Sequence, residues 1–174
     1  MKLTIPSSVG PLFAFASDRG IRAIMFMDSD PVRHGVNGKV VPACAGGIGY
    51  ASLLVLAGQI SEYFAGLRSE FDLLLDPQGT DFQLLAWQAL CQIPFGQTRS
   101  YADQARAIGK PTAARAIGAA IGRNPLAIVV PCHRVIGASG ALTGFAGGLD
   151  RKRALLEHEG VLRSSQELPF ADKL

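Results

Sequence analysis

Two short helical segments joined by a glycine-bearing turn, between Ser100 and Ile121, constrain this chain more than any other stretch. Ser100 and Asp103 have the spacing of an N-terminal capping box, so a helix is expected from Tyr101 to Ile108, with Gly109 as its C-cap. Lys110-Pro111-Thr112 reads as a tight turn, and Thr112 is placed to cap a second helix, Ala113 to Ile121. This is the pattern of a helix-turn-helix. Ala113, Ala114, Ala116, Gly118, Ala119 and Ala120 leave the second helix almost without relief, and Arg115 is its one long side chain. Such a helix can approach another surface closely while the arginine reaches into it. The alternative is a helix packed inside the protein with Arg115 solvated.

The flanking residues extend the pattern. Thr80 and Gln83 form a second capping box, so a helix should begin at Asp81 and be ended by Ile93-Pro94-Phe95-Gly96. Phe82, Leu85, Ala86, Ala89 and Leu90 would line one face with Trp87 beside them, and Cys91 would be an inert core thiol. Gly122-Arg123-Asn124-Pro125 breaks the smooth helix, and Leu126 to Val130 is expected to be a short buried strand leading to Pro131 and Cys132. Val135-Ile136 and Ala141-Leu142-Thr143, about the turn Gly137–Gly140, read as a hairpin wing. Asp150 is placed to cap a last helix through His158, with Gly160 stopping it. Between Gln97 and Val135 the bases Arg99, Arg106, Lys110, Arg115, Arg123 and Arg134 face Asp103 as the sole acid, a balance suited to a polyanion or to a solvated face.

The first part of the chain has a different character. Leu12–Ala16 and Ile21–Met27 flank Ser17-Asp18-Arg19-Gly20, the signature of a β-hairpin. Residues 29–47 read as a loop, a helix is expected from about Tyr50 to Leu67, and Glu70 to Leu75 as a final strand. His34 and Cys44 are too few for a zinc site. The expected architecture is α+β: a small N-terminal α/β unit, residues 1–78, then a helical unit, residues 79–174, with a winged helix-turn-helix.

Chemistry concentrates at Cys132-His133. A thiol attacks as thiolate, a histidine can take its proton, and a carboxylate on the other ring nitrogen orients that histidine. Glu157 and Glu159 are the candidate carboxylates. Adjacent side chains often point apart, so the pair alone leaves a structural cysteine and a cysteine hydrolase open. With 48% hydrophobic residues in 174 the chain can bury a core, and no apolar run nears the roughly 20 residues of a spanning helix. The N-terminal residues lack the pattern of a signal peptide, and three cysteines without CxxC spacing suit reduced thiols, so a cytoplasmic location is expected.

Further residues narrow the reading. Ser-Tyr at 100–101, Ala-Ala-Arg-Ala at 113–116, Asn-Pro at 124–125, Pro-Cys-His-Arg-Val at 131–135, Gly-Phe-Ala-Gly-Gly at 144–148 and His-Glu-Gly at 158–160 occur in this order. Over residues 80–162 the chain thereby resembles the O6-alkylguanine-DNA alkyltransferases, or methylated-DNA–protein-cysteine methyltransferases. The resemblance implies a ribonuclease-H-like first unit and direct-reversal DNA repair. Cys132 would irreversibly take the alkyl group of O6-alkylguanine, and also of O4-alkylthymine. It implies His133 as base acting through a water, Glu159 as its orienting group, and Asn124 as the brace of the active-site turn. Tyr101 would help turn the nucleotide out and protonate the departing guanine, and Arg115 would fill the gap in the duplex.

Ser100, Thr112, Ala113, Ala114 and Arg123 would join Tyr101 and Arg115 on the DNA, in the minor groove. Val135, Ile136, Phe145, Ala146 and Gly147 would line the pocket for the flipped base. No cofactor, metal or membrane is implied. The partner is duplex DNA carrying the lesion, met by a free monomer that could assemble cooperatively along it. Phe145 and Ala146 replace the tyrosine and serine frequent in the family, which bears on lesion range. The competing readings are an alkyltransferase-like protein that flags lesions, in which the acceptor cysteine is replaced, and a winged-helix regulator.

Overall fold

The computed structural model describes residues 2–29 and 47–162. His34, Cys44 and residues 30–46 of the expected loop lie outside the described residues. Strands β1 (Lys2–Ile5), β2 (Leu12–Ser17) and β3 (Gly20–Phe26) form an antiparallel sheet in that order. The expected hairpin is β2–β3. Ala16 pairs with Ile21 but Phe15 with Ala23, so Arg22 is an extra residue at a bulge. β1 was not anticipated. Its four residues gain definition only by pairing with β2.

Helix α1 (Ile48–Phe64) lies across the sheet and buries Leu53, Leu56, Ile60 and Tyr63. The apolar spacing suggested that the helix continues to Leu67, but Gly66 turns left-handed (φ +73°) and Leu67 is exposed. The strand expected from Glu70 to Leu75 is reduced to one parallel bridge, Ile21 to Leu75. The backbone of Asp72 is satisfied instead by the side-chain amide of Gln59: Nε2 donates to the Asp72 carbonyl at 2.8 Å, and the Asp72 N–H donates to Oε1 at 2.9 Å. Gly20 (φ +151°) lets the Leu74 carbonyl come close, where a Cβ would collide with it.

Both capping boxes form, opening α2 (Asp81–Leu90) and α3 (Tyr101–Ala107). The buried face of α2 is Ala86, Trp87 and Leu90, while Leu85 is exposed. Trp87 Nε1 donates to the Ala120 carbonyl at 2.9 Å, tying α2 to α4 (Ala114–Ile121). Thr112 does not cap α4. Ala113 is the N-cap, without a side-chain bond, and its own N–H closes the turn on the Lys110 carbonyl at 2.9 Å.

Three further expectations are corrected downstream. Leu126 to Val130 is a tight turn rather than a strand, with Ile128 at φ +72° and a single bridge from Leu126 to Ile24. Ala141–Thr143 does not form the second strand of a wing, because β5 (Val135–Ile136) pairs in parallel with β4 (Arg99–Ser100). Between them only the Gly137 N–H reaches the Ala141 carbonyl, at 2.9 Å. Helix α5 (Leu149–His158) is N-capped by Gly148, not Asp150, and Gly160 (φ +72°) ends it as expected. Buried apolar residues of the sheet, α1, α2, α4 and α5 form one main cluster, while Phe15, Ala23 and Met25 of the sheet form a second. No helix among the described residues is long and apolar enough to cross a membrane.

Candidate active site

The turn after α4 is built by Asn124. Its Nδ2 donates to the Val130 carbonyl at 2.8 Å and its Oδ1 accepts from the Leu126 N–H at 3.0 Å. β3 grips the same turn from outside: the Ile24 N–H donates to Pro125 O at 2.7 Å and the Ala127 N–H to Ile24 O at 2.9 Å. A β-branched residue at positive φ is costly, about 1–3 kcal/mol, and persists where its surroundings over-determine it. The turn delivers Cys132, His133 and Arg134 as one 3-10 turn, all buried.

The carboxylate of Glu159, just past α5, is the hub. Oε1 meets His133 Nε2 at 2.8 Å and accepts from Tyr63 Oη at 2.8 Å and Arg134 Nη2 at 2.9 Å. Oε2 accepts from Arg134 Nε at 2.8 Å. Arg134 Nη1 donates to the Ile93 carbonyl at 2.6 Å, so this cation faces inward and not toward a polyanion. Burial opposes ionisation of Glu159, but hydrogen bonds from His133 and Arg134 outweigh it and hold its pKa down to about 2.

Burial lowers the pKa of His133 and raises that of Cys132, so the resting pair is neutral imidazole and thiol. With Nε2 facing an ionised carboxylate, the ring proton belongs on Nε2. Nδ1, buried without a hydrogen-bond partner in the protein, is left as the acceptor. Glu157, the other candidate carboxylate, has no contact with His133.

Cys132 is 7% exposed and lines a narrow cleft. Asn124, Ile121 and Gly122 form one side of this cleft, and Gly144, Phe145, Ala146 and Gly147 a second. Val135 and Ile136 are not among its lining residues; they are taken up by pairing with β4. Tyr101, half-buried, donates from Oη to the Thr143 carbonyl at 3.0 Å, and burial raises its pKa. A second, broader groove, lined by Gly118, Ala119 and Arg123 of the α4 side, shares Gly122, Gly144, Phe145 and Ala146 with the first. Arg115, Arg123, Lys110 and Thr112 are exposed, and Ala113 and Ala114 half-buried. Ser100 uses its hydroxyl to cap α3, and Arg106 pairs with Asp103.

Residues missed from sequence also meet here. Lys152, fully buried on α5, donates from Nζ to the carbonyls of Val135 at 2.5 Å and Thr143 at 2.6 Å. Burial lowers its pKa to about 8, and its charge favours the thiolate of Cys132. The signal was present: Lys152, Leu155, Leu156 and Glu159 recur at helical spacing, placing two ionisable groups on an apolar stripe. Tyr63 likewise continues the Leu53, Leu56, Ile60 stripe of α1. Ile24, Met25, Phe26 and Ser29 supply the third side of the Cys132 cleft, which no local pattern announced. Cys91, expected in the core, is exposed at the end of α2, its Sγ 3.5 Å from the Trp87 carbonyl. Among the described residues no cluster of three or more His, Cys, Asp or Glu could hold a metal.

Residues 81–161 match the family described as 6-O-methylguanine DNA methyltransferase, DNA binding domain. A methylated-DNA–protein-cysteine methyltransferase of Methanosarcina barkeri is 44% identical over 156 residues, 89% of this chain and 94% of that protein. The protein of that name from Mycobacterium tuberculosis is 63% identical over 101 residues, 58% of this chain; the match spans about three fifths of the relative, 61%. The crystal structure of Mycobacterium tuberculosis OGT in complex with DNA superimposes with a TM-score of 0.78, at 45% identity over 90% of each chain.

Proposed function

The chain belongs to the methylated-DNA–protein-cysteine methyltransferase family, and on that premise we propose that it repairs O6-alkylguanine, and O4-alkylthymine, in duplex DNA by irreversible alkyl transfer to Cys132. The observation that carries this reading is the buried His133–Glu159 pair, on the same 3-10 turn as Cys132, at a cleft that shares lining residues with the α4 groove.

The chemistry follows from the geometry. The O6 substituent lies inside the base stack, so the nucleotide must be extruded at a cost of about a few kcal/mol. The smooth, exposed α4 suits close approach to the minor groove, and Arg115 would occupy the space vacated. His133 Nδ1 takes the thiol proton through an intervening water, and Glu159 stabilises the imidazolium through Nε2. The thiolate sulfur bonds to the alkyl carbon as the carbon–O6 bond breaks. The electron pair passes to the guanine, which Tyr101 protonates after giving up its bond to Thr143. The product is a thioether. Unlike an acyl enzyme it offers water no route of hydrolysis, so each molecule acts once and needs no cofactor.

The same reading keeps a ribonuclease-H-like unit at residues 1–78 and a DNA-binding unit at 79–174, with residues 135–143 as a reduced wing. It keeps a cytoplasmic location and a free monomer able to assemble on DNA. A lesion-flagging role is disfavoured because Cys132 is present. A sequence-reading regulator is disfavoured because α4 offers few hydrogen-bonding groups for base edges.

The test is to incubate the protein with duplex DNA holding one O6-methylguanine and weigh the intact protein and its Cys132 peptide. Gain of one methyl at Cys132 with equimolar restoration of guanine is expected. Tight binding without a mass change would instead support the flagging role, and restoration by catalytic amounts of protein would overturn single use.

A further inference from the structure

We propose that Phe26, from the N-terminal sheet, sets the upper size of the alkyl group that Cys132 accepts. This rests on the alkyl-transfer reading and assigns the N-terminal unit a part in selecting the lesion.

Phe26 is 2% exposed and lies on the same cleft as Cys132. Its ring meets Phe145 edge to face, with centroids 6.0 Å apart and planes at 69°. Both rings crowd Gly147: a Cβ built there would overlap the Phe26 ring and lie 2.8 Å from Phe145 Cε1. Glycine at 147 is therefore required by packing, and the wall has no slack on that side.

The Phe26 ring is also held from behind. The Arg151 guanidinium carbon sits 4.6 Å from the ring centroid. Arg151 is itself fixed: Nη1 donates to both oxygens of Asp28, at 2.8 and 2.9 Å, and to the Gly147 carbonyl at 3.1 Å, while Nε donates to the Val9 carbonyl at 3.0 Å. One arginine thus binds the end of β3, the β1–β2 loop and the 144–148 wall together. An alkyl group carried to the sulfur must fit within this closed corner. A methyl asks little of it, whereas a benzyl group must displace a ring that is clamped from behind and packed in front.

The experiment measures single-turnover transfer rates from duplex DNA containing O6-methylguanine or O6-benzylguanine. It compares the wild-type chain, Phe26→Ala and Phe26→Leu. The leucine keeps an apolar side chain in the core and guards against a variant that fails to fold. The ratio of benzyl to methyl rates should rise about tenfold in Phe26→Ala, the scale of a modest change in pocket fit, and rise less in Phe26→Leu. An unchanged ratio in folded Phe26→Leu and Phe26→Ala overturns this inference while leaving alkyl transfer standing. Absence of methyl transfer by the wild-type chain overturns the alkyl-transfer reading itself, and this inference with it.

Discussion

Tyr63 Oη donates to the same Glu159 oxygen that meets His133 Nε2, each at 2.8 Å, although Tyr63 and Glu159 are 96 positions apart. Helix α1 therefore takes part in the buried network around His133, the neighbour of Cys132. Tyr63→Phe should destabilise the protein by about 2 kcal/mol, the worth of a buried hydrogen bond to a charged group. Urea unfolding would show it, and an unchanged midpoint would count against the bond.

Acid should unfold this protein partly through Glu159. Its carboxyl is held at about 2 in the folded state, below the ordinary value near ~4.3. The stability it contributes is full above the ordinary value and is lost as pH falls through about 2. Glu159→Gln should flatten the fall in unfolding midpoint between pH 4 and 2. At neutral pH it should cost about 3–5 kcal/mol, because Arg134 is left as an unpaired buried cation. A variant with the same acid slope as the wild type would place the sensitivity elsewhere.

Lys152 has the opposite sign. Burial brings its pKa down to about 8, so the unfolded chain binds the proton more tightly between that value and the ordinary 10.5. The penalty is full below pH 8 and is relieved as pH rises toward 10.5, so stability should gain across that window. Lys152→Met should abolish this gain. It should also slow alkyl transfer at pH 7 by roughly tenfold, the effect of raising the thiol pKa by about one unit. Transfer at the wild-type rate would separate Lys152 from the thiolate.

Arg115 is exposed on α4 and touches no part of the relay. Arg115→Ala should therefore slow repair of duplex DNA by more than tenfold, while leaving transfer from a single-stranded oligonucleotide, where no gap needs filling, within about twofold. Equal losses on both substrates would argue against a role in extrusion.

Two helix starts were legible because capping is local: Thr80 with Gln83 and Ser100 with Asp103 state their geometry within four residues. Leu126 to Val130 misled because a β-branched run describes burial, not extension. Two partners distant in sequence or in kind, Ile24 and the side chain of Asn124, take the backbone bonds a strand would have used. Ala141–Thr143 failed as a strand for a similar reason, since Lys152 claims the Thr143 carbonyl. Cys132, His133 and Glu159 were found through motif. The helical stripes marked Lys152 and Tyr63 as inward-facing, but their partners, like those of Phe26, lie on other segments of the chain, which local spacing does not encode.

The contact between Phe26 and Gly147 has an evolutionary corollary. The corner around Gly147 is written in two places more than a hundred residues apart, at Phe26 and at 145–147, and neither can drift alone. A larger residue at 147 requires a smaller one at 26, while a smaller residue at 26 loosens Phe145 and leaves Arg151 without a ring to cover. Among descendants of this protein, changes at positions 26, 145, 147 and 151 should arrive together, and lineages with different lesion ranges should differ at these positions jointly.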